Sequence, residues 1–107
     1  MKIKKFGKST RVWVLIDQDD RGKLEMVVMS NDKGSYGIIE NVFVKKQHRG
    51  KGIASKLVEE AIVLARTKRF YKIVLTCSED LISFYKALDF EWQEGGQAYC
   101  MRIDLNE

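Results

Sequence analysis

Apolar and polar positions change period several times along this chain, and each change marks an element. Residues 11–17 and 24–30 are apolar, β-branched runs separated by Asp19, Asp20, Arg21 and Gly22, the pattern of two strands joined by a hairpin turn. A loop over residues 31–35 leads into residues 36–44, where Ile38, Glu40, Val42 and Val44 fall on one side and Ile39, Asn41 and Phe43 on the other. That alternation predicts a strand. The period then lengthens: Ile53, Leu57, Ala61 and Leu64, with the adjacent row Ala54, Val58, Ile62 and Ala65, recur at helical spacing. Residues 72–77 read as a short buried strand. Ser78 is placed to cap a second helix, with Glu79 and Asp80 in its first turn and Leu81, Phe84, Tyr85 and Leu88 on one face. Residues 90–93 and 98–105, joined by Glu94, Gly95, Gly96 and Gln97, predict a closing hairpin. Strand, helix and strand at the centre make a right-handed βαβ crossover. The expected fold is α/β of the α+β type: a mixed, mostly antiparallel sheet with two main helices.

Composition narrows the class. With 107 residues, 45% of them hydrophobic, the chain is expected to form one domain over residues 1–107 around a single core. No apolar run approaches the roughly 20 residues that cross a bilayer, and the opening residues lack the apolar middle of a secretion signal, so a cytoplasmic protein with no membrane partner is expected. Cys77 and Cys100 form no CxxC pair and stand near no cluster of histidines, which predicts buried free thiols and no metal site. The formal charge of +4 points to an anionic partner. Basic residues gather at 2–11, read as a solvated surface, and at 45–51, where Lys45, Lys46, His48, Arg49 and Lys51 surround a Gly-x-Gly.

That Gly-x-Gly, in Gln47-His48-Arg49-Gly50-Lys51-Gly52-Ile53-Ala54, joins the predicted strand to the predicted helix. Such a turn serves either as a simple tight bend or as a cradle of N–H groups for an anion at a helix N-terminus. It matches neither the P-loop nor the dinucleotide fingerprint. Gln-x-x-Gly-x-Gly, followed by Ile-Ala and a helix and preceded by Val42-Phe43-Val44, resembles motif A of the GNAT superfamily of acetyl-CoA-dependent N-acetyltransferases. Tyr71-Lys72-Ile73-Val74-Leu75-Thr76-Cys77 and Phe84-Tyr85-Lys86-Ala87-Leu88-Asp89-Phe90 are similar to later segments of the same family, with Asp89 where the family usually has Gly. Within the superfamily the likeness is to glucosamine 6-phosphate N-acetyltransferases, from residue 36 onward. The family's opening strand and two helices are missing or reduced to the first few residues.

The resemblance implies acetyl-CoA as cofactor. N–H groups of Arg49, Gly50, Lys51, Gly52, Ile53 and Ala54 would hold its pyrophosphate, with Val42, Phe43, Val44, Gln47, Ser55, Tyr85 and Lys86 as further contacts. It also implies Tyr85 as the acid that protonates the departing thiolate; by spacing alone Tyr85 equally suits the core. Glu40 interrupts an apolar strand face, so its carboxylate is expected to be partnered or of raised pKa, or else to be a solvated edge residue. In similar enzymes the matching Glu contacts the amino sugar and can orient or deprotonate the amine. Asn41, Tyr71, Lys72, Thr76 and Arg102 match acceptor-contacting positions; Thr76 replaces an acidic residue there, and Arg102 can equally pair with Asp104. The expected acceptor is the primary amine of a small molecule, and the family's last strand implies a homodimer. Acetylation of a peptide or protein amine, or silent acyl-CoA binding, are the alternatives. A nucleic-acid partner is not expected, because Phe84, Tyr85 and Phe90 read as core rather than a stacking face.

Overall fold

The computed structural model describes residues 2–6, 11–94 and 99–105, and for 2–6 the backbone course alone. The strands are β1 (Lys2–Phe6), β2 (Val12–Ile16), β3 (Gly22–Asn31), β4 (Gly34–Val44), β5 (Lys72–Leu75), β6 (Glu91–Trp92) and β7 (Met101–Asp104). The helices are α1 (Ile53–Thr67) and α2 (Ile82–Lys86), preceded by short 3₁₀ turns at Lys46–His48 and Glu79–Leu81. Among the described residues the strands form one sheet in the order β1-β2-β3-β4-β5-β7-β6, with β4 and β5 as its parallel pair. The mixed sheet and the central crossover stand as the sequence predicts. The first residues supply an opening strand, because residues 2–6 pair antiparallel with β2. Among the described residues no helix is long and apolar enough to cross a membrane.

One face of the sheet carries the main core. Trp13, Leu15, Leu24, Met26, Ile73 and Met101 project from alternate positions of four strands onto Ile53, Leu57, Val58, Ala61 and Ala65 of α1. α1 is amphipathic as its spacing predicts, and burial of its five core residues is what holds it to the sheet.

Four expectations are corrected by the packing. First, the alternation of β4 breaks at Glu40: Met26 pairs with Ile39 and Glu25 with Asn41, so Glu40 has no residue opposite it on β3. This is a β-bulge, and it turns Glu40 out to solvent instead of leaving it on an apolar face. Second, β5 ends at Leu75, leaving Thr76 and Cys77 beyond the ladder; there the Cys77 N–H donates to Cys100 Sγ at 3.2 Å rather than to a backbone carbonyl. Cys100 is partly buried and packs against the core. Third, the second helix is shorter than its apolar pattern suggests. Ser78 does not cap it; the Ser78 hydroxyl donates to the Asp80 carboxylate, and a 3₁₀ turn intervenes before α2. Fourth, the closing hairpin keeps its pairing through Glu91 with Arg102 and Trp92 with Met101, but β6 is two residues long; of the predicted turn at 94–97 and strand at 98–105, residues 95–98 lie outside the described residues.

Candidate active site

β4 and β5 lie side by side only from Gly37 to Ile39 and from Ile73 to Leu75. Beyond that point β4 continues past its bulge to Val44 with no partner on the β5 side among the described residues. The cleft left between the parting strands is the site. It has two ends, one along the start of α1 and one at the tip of β5.

At the first end the chain leaves β4, makes the 3₁₀ turn at Lys46–His48 and enters α1 through Gly50 and Gly52, both at φ 79°. That left-handed conformation is open to glycine and costly for residues with a Cβ, which is why the motif needs glycine twice. A Cβ built on either would meet nothing within 4 Å, so the turn fronts open space. No side chain caps α1, and its first helical bond runs from the Lys56 N–H to the Gly52 carbonyl at 3.1 Å. The N–H groups ahead of Lys56 thus lack helical acceptors and mark the positive end of the helix dipole. They border a cavity of about 330 Å³ whose walls include Val44, His48, Arg49, Ala54, Ser55 and Phe84. Arg49 Nε donates to the Val44 carbonyl at 3.0 Å and ties the turn to β4, while His48 Nδ1 is buried without a hydrogen-bond partner. An unsatisfied ring nitrogen, uncapped N–H groups and unobstructed glycines suit a phosphate-bearing ligand.

The β2–β3 hairpin braces this end from behind. Asp17 is buried and accepts from Arg21 Nε at 2.7 Å, from Arg21 Nη2 at 3.2 Å, and from the backbone N–H groups of Asp19 and Arg21. The Arg21 guanidinium, chiefly, holds the Asp17 carboxyl well below the usual carboxylate range. The Arg21 carbonyl in turn accepts from the Lys45 N–H at 2.8 Å, fastening the hairpin to the segment that follows β4.

At the second end a cavity of about 160 Å³ is lined by Ile39, Glu40, Asn41 and Val42 of β4, by Thr76 and Cys77 past β5, and by Leu81 and Tyr85. Tyr85 is buried, its ring edge-on to Phe84 at 4.9 Å and to Phe90 at 5.5 Å. Burial pushes the Tyr85 phenol above its ordinary pKa, with negative charge on Cys77 and Cys100 adding to the rise. It therefore holds its proton at neutral pH, the state a general acid requires. Cys77 and Cys100 are free, half-buried thiols 3.8 Å apart. Burial pushes the Cys77 thiol up to about 11, with the Cys100 contact adding to it. Asn41 Nδ2 donates to Glu25 Oε1 at 3.3 Å, and that bond is the main cause of the lowered Glu25 pKa.

Not every residue singled out from the sequence comes to the cleft. Val42, Val44, Arg49, Gly50, Gly52, Ile53, Ala54 and Ser55 border it, as do Glu40, Asn41, Thr76 and Tyr85. Gln47, Lys51 and Lys86 are exposed outside both cavity walls. Phe43 is also exposed and pairs with Lys23. Tyr71 precedes β5 and Lys72 opens it, at the end away from the cleft, where Lys72 Nζ lies 4.7 Å from the Tyr36 ring centre and Asn31 Nδ2 donates to Tyr71 Oη at 2.9 Å. Arg102 donates to Asp104 Oδ1 at 2.7 Å on the sheet face opposite α1. Six cleft residues were not among the candidate site residues: His48 and Phe84 at the first end, and Ile39, Leu75, Cys77 and Leu81 at the second. Phe84 and Leu81 share the apolar helical spacing of Tyr85, which signals a core face and says nothing of a cleft.

A family profile, the acetyltransferase (GNAT) domain, matches residues 8–92. The chain belongs to the GNAT acetyltransferase family. Among curated proteins this GNAT domain is 36% identical over 69 residues to the glucosamine 6-phosphate N-acetyltransferase of Trypanosoma brucei brucei, covering 64% of the chain and 44% of that protein. It thus spans less than half the length of that relative. Among solved structures it resembles a Trypanosoma brucei acetyltransferase, with TM-score 0.68, 28% identity, and 80% of this chain and 65% of that one covered. It also shares the fold of a chain in the NatC complex bound to Gag peptide and CoA, with TM-score 0.73 at 18% identity, over 91% of this chain and 72% of that one. The turn at Gly50 and Gly52 falls within the residues that the family profile matches. Asp89 stands at φ 73°, so the position where the family usually has Gly is one that demands the left-handed region, which Asp tolerates better than most residues.

Proposed function

We propose that this chain moves an acetyl group from acetyl-CoA to the primary amine of a small molecule. The observation that carries the reading is the parted cleft itself, with uncapped N–H groups and two left-handed glycines at one end and a buried, protonated tyrosine at the other. Acetyl-CoA brings an activated thioester. The N–H groups of residues 49–54 bind its pyrophosphate, and the exposed edge of β4 at Val42 and Val44 runs beside the remainder of the carrier. Tyr85 gives its phenolic proton to the thiolate as the carbon–sulfur bond breaks. Glu40, on its bulge beside the tip of β5, orients the amine and takes the proton released as the carbon–nitrogen bond forms, because Thr76 cannot act as a base near neutral pH.

The named relatives make glucosamine 6-phosphate the first acceptor to test, and the match to the GNAT acetyltransferase profile supports the donor. The reading includes a cytoplasmic homodimer, formed through the last strand as in the resembled enzymes. Release of free thiol from acetyl-CoA, followed with a panel of amines, tests the activity. Stoichiometric thiol and acetylamide support it; no release above the rate of buffer alone refutes it. Sedimentation as a monomer at micromolar concentration removes the dimer from the proposal.

A further inference from the structure

We infer that Cys77 and Cys100 form a dithiol that a small-molecule disulfide oxidises to an intrachain bond, and that this bond slows acetyl transfer while sparing cofactor binding. The effect on transfer rests on the acetyl-transfer reading; the bond itself does not. The contact between the two side chains carries the inference. Both thiols are free and half-buried, with their Sγ atoms 3.8 Å apart. A disulfide places its sulfurs about 2.05 Å apart, so about 1.8 Å remains to be closed, a distance that side-chain rotation and a small backbone shift supply.

The backbone already holds the pair in register for that step. The Cys100 N–H donates to the Leu75 carbonyl at 3.2 Å, and the Cys77 N–H donates to Cys100 Sγ at 3.2 Å. Cys77 lies past the end of β5, outside the ladder, so its backbone can follow its sulfur. Burial, with the Cys100 contact adding to it, keeps the Cys77 thiol protonated at neutral pH, whereas the Cys100 sulfur accepts the Cys77 N–H; Cys100 is therefore the sulfur that attacks. Its thiolate attacks one sulfur of oxidised glutathione, forms a mixed disulfide and expels one glutathione thiolate. Cys77 then gives its proton to water, attacks Cys100 Sγ and expels the second glutathione thiolate. The two protein thiols lose two electrons and the glutathione disulfide gains them.

The position of Cys77 links this chemistry to the cleft. Cys77 lines the cavity that also takes in Glu40, Thr76 and Tyr85, and the chain runs on from it through Ser78 and the 3₁₀ turn into α2, which carries Tyr85. Drawing the Cys77 sulfur onto Cys100 therefore moves the wall of the acceptor end against Glu40 and Tyr85. A misplacement of about 1 Å is enough to cost on the order of a hundredfold in rate. Neither cysteine borders the cavity at the start of α1, so the glycine turn is left as it was.

The full chain is incubated with oxidised glutathione, desalted, and followed by intact mass, non-reducing electrophoresis and peptide mapping. The expected product has lost two hydrogen atoms, runs as a single chain and yields a peptide pair joined between residues 77 and 100. Acetylamide formation with the amine panel is expected to fall at least about tenfold and to return with dithiothreitol, while calorimetric acetyl-CoA affinity stays within about threefold. Cys100→Ser, treated alike, is expected to keep the rate it has untreated. Unchanged free thiols, glutathione adducts alone, or a bond between two chains overturns the inference. Full turnover by the oxidised chain overturns it too, as does Cys100→Ser that loses activity as the parent does. Absence of acetylamide from the reduced chain with every amine removes the transferase reading instead. The mass, with a melting temperature expected to rise about 5 °C on oxidation, then decides the bond by itself.

Discussion

The two ends of the cleft are made of different material. The α1 end is built from backbone: N–H groups, two left-handed glycines and an uncapped helix start, with side chains serving mainly to tie the turn down. The β5 end is built from side chains, Glu40, Thr76, Leu81 and Tyr85, held where two strands have parted. A backbone cradle recognises what many ligands share, in the proposed reading a phosphate group, and it leaves a sequence motif because glycine best tolerates its geometry. A side-chain pocket sets which acceptor enters, and any of its members can change without disturbing the fold. The donor is accordingly better defined by the sequence than the acceptor.

The largest expected effect lies at the backbone end. Gly52→Glu places a carboxylate in the open space before the α1 N-terminus and adds the strain of a Cβ at positive φ. Acetyl-CoA affinity by calorimetry should fall by more than about a hundredfold, while the far-ultraviolet circular dichroism stays that of the parent. Affinity within threefold of the parent would detach the glycine turn from cofactor binding.

Tyr85→Phe should act at the other end alone. With its phenol gone, kcat is expected to fall about a hundredfold, with acetyl-CoA affinity unchanged. Normal turnover would return Tyr85 to a purely structural place between Phe84 and Phe90.

Acid should loosen the brace behind the α1 end first. Asp17 has a depressed folded pKa, so its ion pair contributes stability above the unfolded value of about 4, and that contribution is lost as pH falls below it. In melts between pH 3 and pH 7, Asp17→Asn should lower the melting temperature at pH 7 and flatten the acid limb of the curve. Parallel curves for variant and parent would show that the pair has no such role.

The smallest effect is expected behind the β5 end. Asp89 follows α2 at positive φ, and the next residue returns to the helix through the Phe90 N–H to Tyr85 carbonyl bond at 3.1 Å. Asp89→Gly relieves the left-handed strain and should stabilise the domain by up to about 1 kcal/mol in urea titrations, without altering turnover. A destabilised variant would mean that the Asp side chain contributes more than its backbone strain costs.

The same contrast explains what the chain revealed before its structure was known. The hairpin at residues 19–22, the α1 faces and the strand–Gly turn–helix frame were legible because each rests on local spacing and turn chemistry. Tyr85 was legible only through its likeness to family segments. The bulge at Glu40 was not legible, because it exists only in the register between β3 and β4, and the period-two reading put Glu40 on the wrong face. The end of β5 at Leu75 was not legible either: Cys77 bonds to Cys100, 23 residues beyond it, through a contact no local pattern encodes. Lys72 and Arg102 lie outside both cavity walls of this chain, beside the Tyr36 ring and on Asp104, positions that no local pattern gives.

The central claim is that one cleft takes the donor on backbone at its α1 end and the acceptor on side chains at its β5 end. Amide chemical shifts of the isotope-labelled chain, followed first with CoA and then with an added amine, test it directly. The account predicts that CoA moves the N–H signals of Gly50, Lys51, Gly52, Ile53 and Ala54 most, and that the amine then moves Glu40, Asn41, Thr76 and Cys77. CoA shifts absent from residues 50–54, or an amine response confined to Tyr71, Lys72 and Arg102, would contradict it.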